Sequence, residues 1–167
     1  LKRDLTLEQI RQYTEQNIKQ IRALGFDESK TLIFNDFAMT PAMYLNIIKV
    51  QSGVTVNHSM ASFGVKSSDS IGKLAFPATQ IMPCLPSSFP EFFTEIEQKT
   101  LRCLVPCGID QDPYFRIAKD ILHKLGVARP VLLHTTFVPS TLGVRTKMSS
   151  SRPDSAIFLD ETEQTLK

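Results

Sequence analysis

No stretch of the 167 residues is apolar for long enough to cross a bilayer, since runs such as Val131-Leu132-Leu133 last only a few residues where a spanning helix needs about 20. The first six residues carry Lys2 and Arg3 with no apolar core behind them, so they do not read as a secretory signal, and a cytoplasmic protein is expected. A surplus of one charge sign is missing too. Nineteen basic residues face 17 acidic ones, a net charge of +2, which lacks the basic excess of a phosphate-tracking surface and leaves composition silent on nucleic acid. Cysteine is scarce and odd in number: Cys84, Cys103 and Cys107 give neither a disulfide framework nor a C-x-x-C knuckle. Cys103 and Cys107 lie in and just after an apolar stretch and read as reduced, structural thiols. His58, His123 and His134 are far apart in sequence, so no metal site is expected. There is no internal repeat and no low-complexity tract.

What is present is enough apolar residue, 42%, for one globular domain with a core. Thr6-x-x-Gln9 has the form of a capping box, and Leu7, Ile10, Ile18, Ile21 and Leu24 recur at helical spacing up to Gly25, predicting a long amphipathic helix. Thr31-Leu32-Ile33-Phe34 reads as a buried strand. Thr40-Pro41 has the form of a cap and first position of a second helix running through Tyr44, Ile47, Ile48 and Val50. Residues 55–82 read as two short helices broken at Gly64, the second capped by Asp69 and stopped by Pro83. Cys103-Leu104-Val105 and Val131-Leu132-Leu133 are further strands, and 111–125 is a helix with Pro113 in its first turn and Gly126 at its end. Residues 140–154, rich in Ser, Thr, Gly and basic side chains, are expected to form a long loop. This alternation predicts an α/β fold with a doubly wound parallel sheet.

Three segments carry candidate chemistry. Residues 147–151, K-M-S-S-S, combine a lysine point charge with hydroxyl and backbone donors suited to a polyphosphate; a flexible surface linker would have the same composition. Gly108-Ile109-Asp110-Gln111 stands at a strand end, where glycine permits close backbone approach and a carboxylate can accept from both ribose hydroxyls. Asp110 could equally be a helix cap. Residues 68–80, S-D-S-I-G-K-L-A-F-P-A-T-Q, read as a capped helix whose apolar positions suit core packing, with Lys73 a solvated or structural lysine.

In order, spacing and flanks these segments resemble the class I aminoacyl-tRNA synthetases and, among them, the tryptophanyl-tRNA synthetases of eukaryotic and archaeal type. K-M-S-S-S is similar to the K-M-S-K-S signature loop, with Ser150 in place of the second lysine, as in the K-M-S-A-S form of the eukaryotic tryptophanyl enzymes. The 68–80 segment and D-Q-D-P-Y-F-R at 110–116 set the tryptophanyl subtype apart from the tyrosyl one, and A-I-F-L-D-E-T at 156–162 resembles a further family run. The resemblance implies that Lys147 and Ser149 act in catalysis; that Gly108, Asp110, Lys147, Met148 and Ser149 bind ATP, with Mg²⁺ on its phosphates; and that Gln80 and Gln111 hold the polar end of tryptophan while Cys107 and Phe115 face the indole side. Cys107 and Phe115 are equally credible as packing.

The same resemblance implies a tryptophan–tRNA ligase with L-tryptophan, ATP and tRNA(Trp) as partners and a homodimer as its full form. It gives 1–36 to the Rossmann core, 37–98 to a mostly helical insertion, within which 45–93 supply much of the dimer interface, and 99–167 to the second Rossmann half. It also implies that the H-I-G-H-like motif, the Q-x-T-D-D-E-K-like segment and the anticodon-binding domain lie outside these residues, so that the chain is an incomplete core, inactive alone. Two other readings are open: a non-catalytic nucleotide-binding or regulatory module derived from a synthetase, and an interaction domain whose Ser-rich loop is only a linker.

Overall fold

The computed structural model of the chain describes residues 5–149, 152–159 and 161–164. Ser150 and Ser151 of the Ser-rich loop, Asp160, and the lysine and arginine of the first four residues lie outside them. In chain order the elements are α1 (Leu7–Ala23), α2 (Asp36–Gly53), α3 (Val56–Phe63), α4 (Ile71–Ile81), α5 (Glu95–Thr100), β1 (Leu104–Gly108), α6 (Asp112–Lys124), β2 (Val131–Thr135), β3 (Pro139–Ser140) and β4 (Gly143–Lys147). The result is mixed α/β, mostly helical, with a small parallel sheet. Two compact units divide it, one made of Leu1–Met39 with Val138–Lys167 and the other of Thr40–Phe137, the boundary falling within α2. No helix among the described residues is long and apolar enough to cross a membrane.

Local chemistry explains most boundaries. The Thr6 hydroxyl accepts from the Gln9 N–H at 3.2 Å while Gln9 Oε1 accepts from the Thr6 N–H at 2.8 Å, closing the capping box of α1. Gly64 ends α3 in the left-handed region at φ 62°, a conformation that suits glycine. Three expectations are corrected. The second helix begins at Asp36, not Thr40, because the Asn35 side chain accepts the Ala38 N–H at 2.8 Å and caps it first; Pro41 sits inside the helix, where its missing N–H removes one ladder bond. Ser70, rather than Asp69, caps α4. Residues 31–35 form no strand: an apolar run becomes one only when a neighbour supplies a ladder, and β1 pairs with β2 instead.

That pair is parallel and in register from Leu104↔Val131 to Gly108↔Thr135. Alternation puts Leu104, Val131 and Leu133 on one face, where all three are exposed, and Val105, Cys107 and Leu132 on the other, where they are half-buried. The expected loop at 140–154 is also corrected: much of it is an antiparallel hairpin, β3 with β4, turned by Gly143 at φ 136°.

The core lies in the second unit. Met43, Ile47 and Val50 of α2, Ala78 and Ile81 of α4, Met82, Leu85, and Phe115, Ile117, Ala118, Ile121 and Leu122 of α6 are buried. One polar network runs through it: Asn46 Nδ2 donates to Ser88 Oγ at 2.9 Å, and Ser88 Oγ donates to the Met82 carbonyl at 2.7 Å. Ser88 is fully buried, so Ser88→Ala strands the Asn46 amide. We expect a loss of about 1–3 kcal/mol, measurable as a lower urea midpoint with an unchanged slope.

Candidate functional site

The turn that leaves β1 brings several of the expected residues together. Gly108 is the last residue of β1, and a 3-10 turn, Ile109–Gln111, leads into α6. A Cβ at Gly108 would fall 2.9 Å from Asp110 Oδ1, so the missing side chain is what lets that carboxylate fold back over the strand end. The Asp110 side chain does not cap α6; the cap position is Gln111, which makes no side-chain cap bond. Gln111 turns instead towards α4, where its Oε1 accepts from Gln80 Nε2 at 3.3 Å. Two residues 31 positions apart, each expected from the sequence to hold the same ligand, therefore meet.

Cys107 precedes Gly108 and pairs in register with His134 of β2, while its carbonyl accepts from Thr135 Oγ1 at 3.3 Å. Partial desolvation, then the carboxylates of Asp112 and Asp110, push the Cys107 thiol up, so it stands here as a neutral group. Phe115 is 3% exposed on the core face of α6, among packing residues. Lys73 makes a 2.8 Å ion pair with Asp69 one helical turn back, as befits a structural lysine. The Lys73 ammonium, then the Lys66 N–H, hold the Asp69 carboxyl below its ordinary value.

The other expected residues lie in the first unit. Lys147 ends β4 and is exposed; Met148 and Ser149 are half-buried. Sequence reasoning missed the residue that organises this segment. Ser155, 3% exposed, accepts the Ser149 N–H at 3.1 Å and donates to the Arg152 carbonyl at 2.6 Å, while the Arg152 N–H donates to the Ser149 carbonyl at 2.9 Å. The two ends of the Ser-rich loop are thereby joined. The available signal was Pro153, which starts the short 3-10 turn that buries Ser155.

Of the three cysteines, all free, Cys84 is the buried one and Cys103 and Cys107 are half-buried. The neighbouring Cys84 thiol, acting against desolvation, holds Cys103 down to about 7. The same contact, together with burial, pushes Cys84 up. Within this pair Cys103 is thus the thiol that ionises at the lower pH.

The chain as a whole falls in a defined protein class. Residues 2–167 match the family "tRNA synthetases class I (W and Y)", and the chain belongs to that family. Within it the similarity is to tryptophanyl enzymes. The cytoplasmic tryptophan–tRNA ligase of Oryctolagus cuniculus is 48% identical over 99% of this chain and 35% of its own length; that of Dictyostelium discoideum is 45% identical over 99% of this chain and 42% of its own. A crystal structure of the Encephalitozoon cuniculi tryptophanyl-tRNA synthetase bound to tryptophan superposes with a TM-score of 0.86 at 37% identity, covering 99% of this chain and 45% of that one. A product-bound parasite tRNA synthetase gives 0.90 at 39% identity, covering 99% and 43%. The chain thus spans between about a third and a half of these relatives.

Two outcomes follow. Ser155→Ala should raise deuterium uptake at 147–155 severalfold while leaving α6 unchanged, as read by exchange mass spectrometry. Alkylation of Cys103 by iodoacetamide should speed up as pH rises, reaching half its plateau rate near pH 7, with Cys84 unmodified in the folded chain; peptide mapping over a pH series checks both.

Proposed function

We propose that this chain is the part of a cytoplasmic tryptophan–tRNA ligase that orients the amino acid and stabilises the departing pyrophosphate, in activation of L-tryptophan by ATP and transfer to tRNA(Trp). The observation that carries the reading is the Gln80–Gln111 contact. Gln80 uses an N–H and Gln111 its carbonyl, which leaves Gln80 Oε1 as an acceptor and Gln111 Nε2 as a donor. An acceptor beside a donor complements the ammonium and carboxylate of a free amino acid. Cys107, neutral and half-buried, suits the apolar side of the ligand, and Phe115 supports that wall from the core.

Gly108 and Asp110 take the adenosine, the Asp110 carboxylate accepting from the ribose hydroxyls. Lys147, with Met148 and Ser149, meets the phosphates, where a charge and a donor matter most as negative charge develops on the leaving group. Among the described residues no three acidic, histidine or cysteine side chains converge as metal ligands. Mg²⁺ would ride on the nucleotide's phosphates, as suits an ion that sheds water reluctantly, and would neutralise charge there. Residues 99–167 serve as the second Rossmann half, 37–98 as the helical insertion, and 45–93 as much of a homodimer interface.

Tryptophan-dependent ATP–pyrophosphate exchange on the longest protein that contains this chain, with tyrosine as control, tests the reading. Exchange with tryptophan and not tyrosine is expected, and its absence in that protein would favour a non-catalytic nucleotide-binding module. Lys147→Ala should lower the rate of adenylate formation by on the order of 100-fold, as loss of one well-placed donor does, with tryptophan affinity little changed. Gln80→Ala should do the reverse. A change confined to the Michaelis constant for ATP in both variants would overturn these roles.

A further inference from the structure

The turn at 109–111 leaves the sheet and enters α6 without a side-chain cap, so something else must set its height above the strand ends. Asp112, the first residue of α6, lies across from β2: His134 Nε2 stands 3.0 Å from Asp112 Oδ1, and the Arg116 guanidinium engages the other oxygen. The Asp112 side chain is 15% exposed and that of His134 32%, whereas Arg116 is 78% exposed. The inner partner is therefore histidine. His134 is also the register partner of Cys107, and Asp112 donates its N–H to the Ile109 carbonyl, closing the turn. Strand end, turn and helix start form one ring of contacts, and Asp110 and Gln111 lie on the turn that it closes.

We propose that Asp112 and His134 form a positioning clamp that holds Asp110 and Gln111 at their working height above the β1–β2 strand ends. Neither is a catalytic residue, since each acts through its neighbours. Gln111 has little slack: its contact with Gln80 is already 3.3 Å long, near the outer limit for a hydrogen bond. A competing explanation for Asp112 is that an acidic group in the first turn favours any helix. That effect needs the carboxylate alone, whereas the clamp needs His134. The catalytic consequence rests on the function proposed above; the geometry does not.

The test has two readouts. On this chain, His134→Ala should raise deuterium uptake at 108–112 severalfold and leave the core segment 117–122 unchanged. His134→Gln, which returns a side-chain N–H of similar reach, should restore protection, and Arg116→Ala, which removes an exposed partner of little weight, should change nothing. On the longest protein that contains the chain, His134→Ala should lower kcat/KM for tryptophan by roughly 10- to 100-fold, the scale of a misplacement of about 1 Å, with His134→Gln within about threefold of wild type. Unchanged uptake at 108–112, or an equal rise there and at 117–122, overturns the clamp. A local rise with tryptophan kinetics unchanged overturns its positioning role. A local rise in a protein whose wild type shows no tryptophan-dependent exchange leaves the clamp standing and rejects the synthetase function instead.

Discussion

The second unit depends on the burial of one face of α6. Phe115, Ile117, Ala118, Ile121 and Leu122 are each no more than 3% exposed, and removing a large aliphatic side chain from water stabilises by about 1.5–3 kcal/mol. The fit is close on two sides. A Cβ at Gly53 of α2 would come within 3.0 Å of Ile121 Cγ2, so that approach uses the absence of a side chain. At the other end Tyr114 stacks on Phe63 of α3 with ring centroids 4.5 Å apart and meets Phe76 of α4 edge-on at 5.8 Å. α6 also joins β1 to β2, so where it packs decides which strands can pair and where Gln111 emerges.

The first unit is held differently around its Ser-rich segment. A buried hydroxyl and a few backbone bonds, rather than a packed apolar face, tie the hairpin to the turn that follows: the Thr141 N–H donates to the Ser155 carbonyl at 3.3 Å, and Ser155 bridges Ser149 and Arg152. Each such bond contributes only about 1 kcal/mol net. A segment held this way, with few buried apolar contacts, opens at low free-energy cost.

Helices were the most legible part of the sequence. The Thr6–Gln9 box, Gly64 and Gly126 mark boundaries through local chemistry that survives folding. Errors arose where a local signal had a stronger neighbour: Thr40-Pro41 has the form of a helix start, yet Asn35 caps first, and Asp69 lies one residue before the true cap. The run at 31–34 failed because strand formation depends on a partner that periodicity cannot reveal. At the candidate site, the family resemblance pointed to Gln80, Asp110 and Gln111, and the structure brings the two glutamines together. Ser155 left only the indirect trace of Pro153, and the Asp112–His134 contact was illegible, since it acts only through residues that are placed by the fold.

α6 also makes the site sensitive to insertions and deletions. A helix fixes angle as well as distance: one added residue advances the chain by about 1.5 Å and turns everything before it by about 100°. The buried face of α6 holds one end in phase with the core, and Asp112 holds the other in phase with β2. A residue inserted between them cannot satisfy both, so either the core face or the Gln111 side chain must swing away. The connection at 127–130, which lies outside helix and strand, carries no such helical phase. A change of length in this crossover is therefore better accommodated at its exit than within the helix itself.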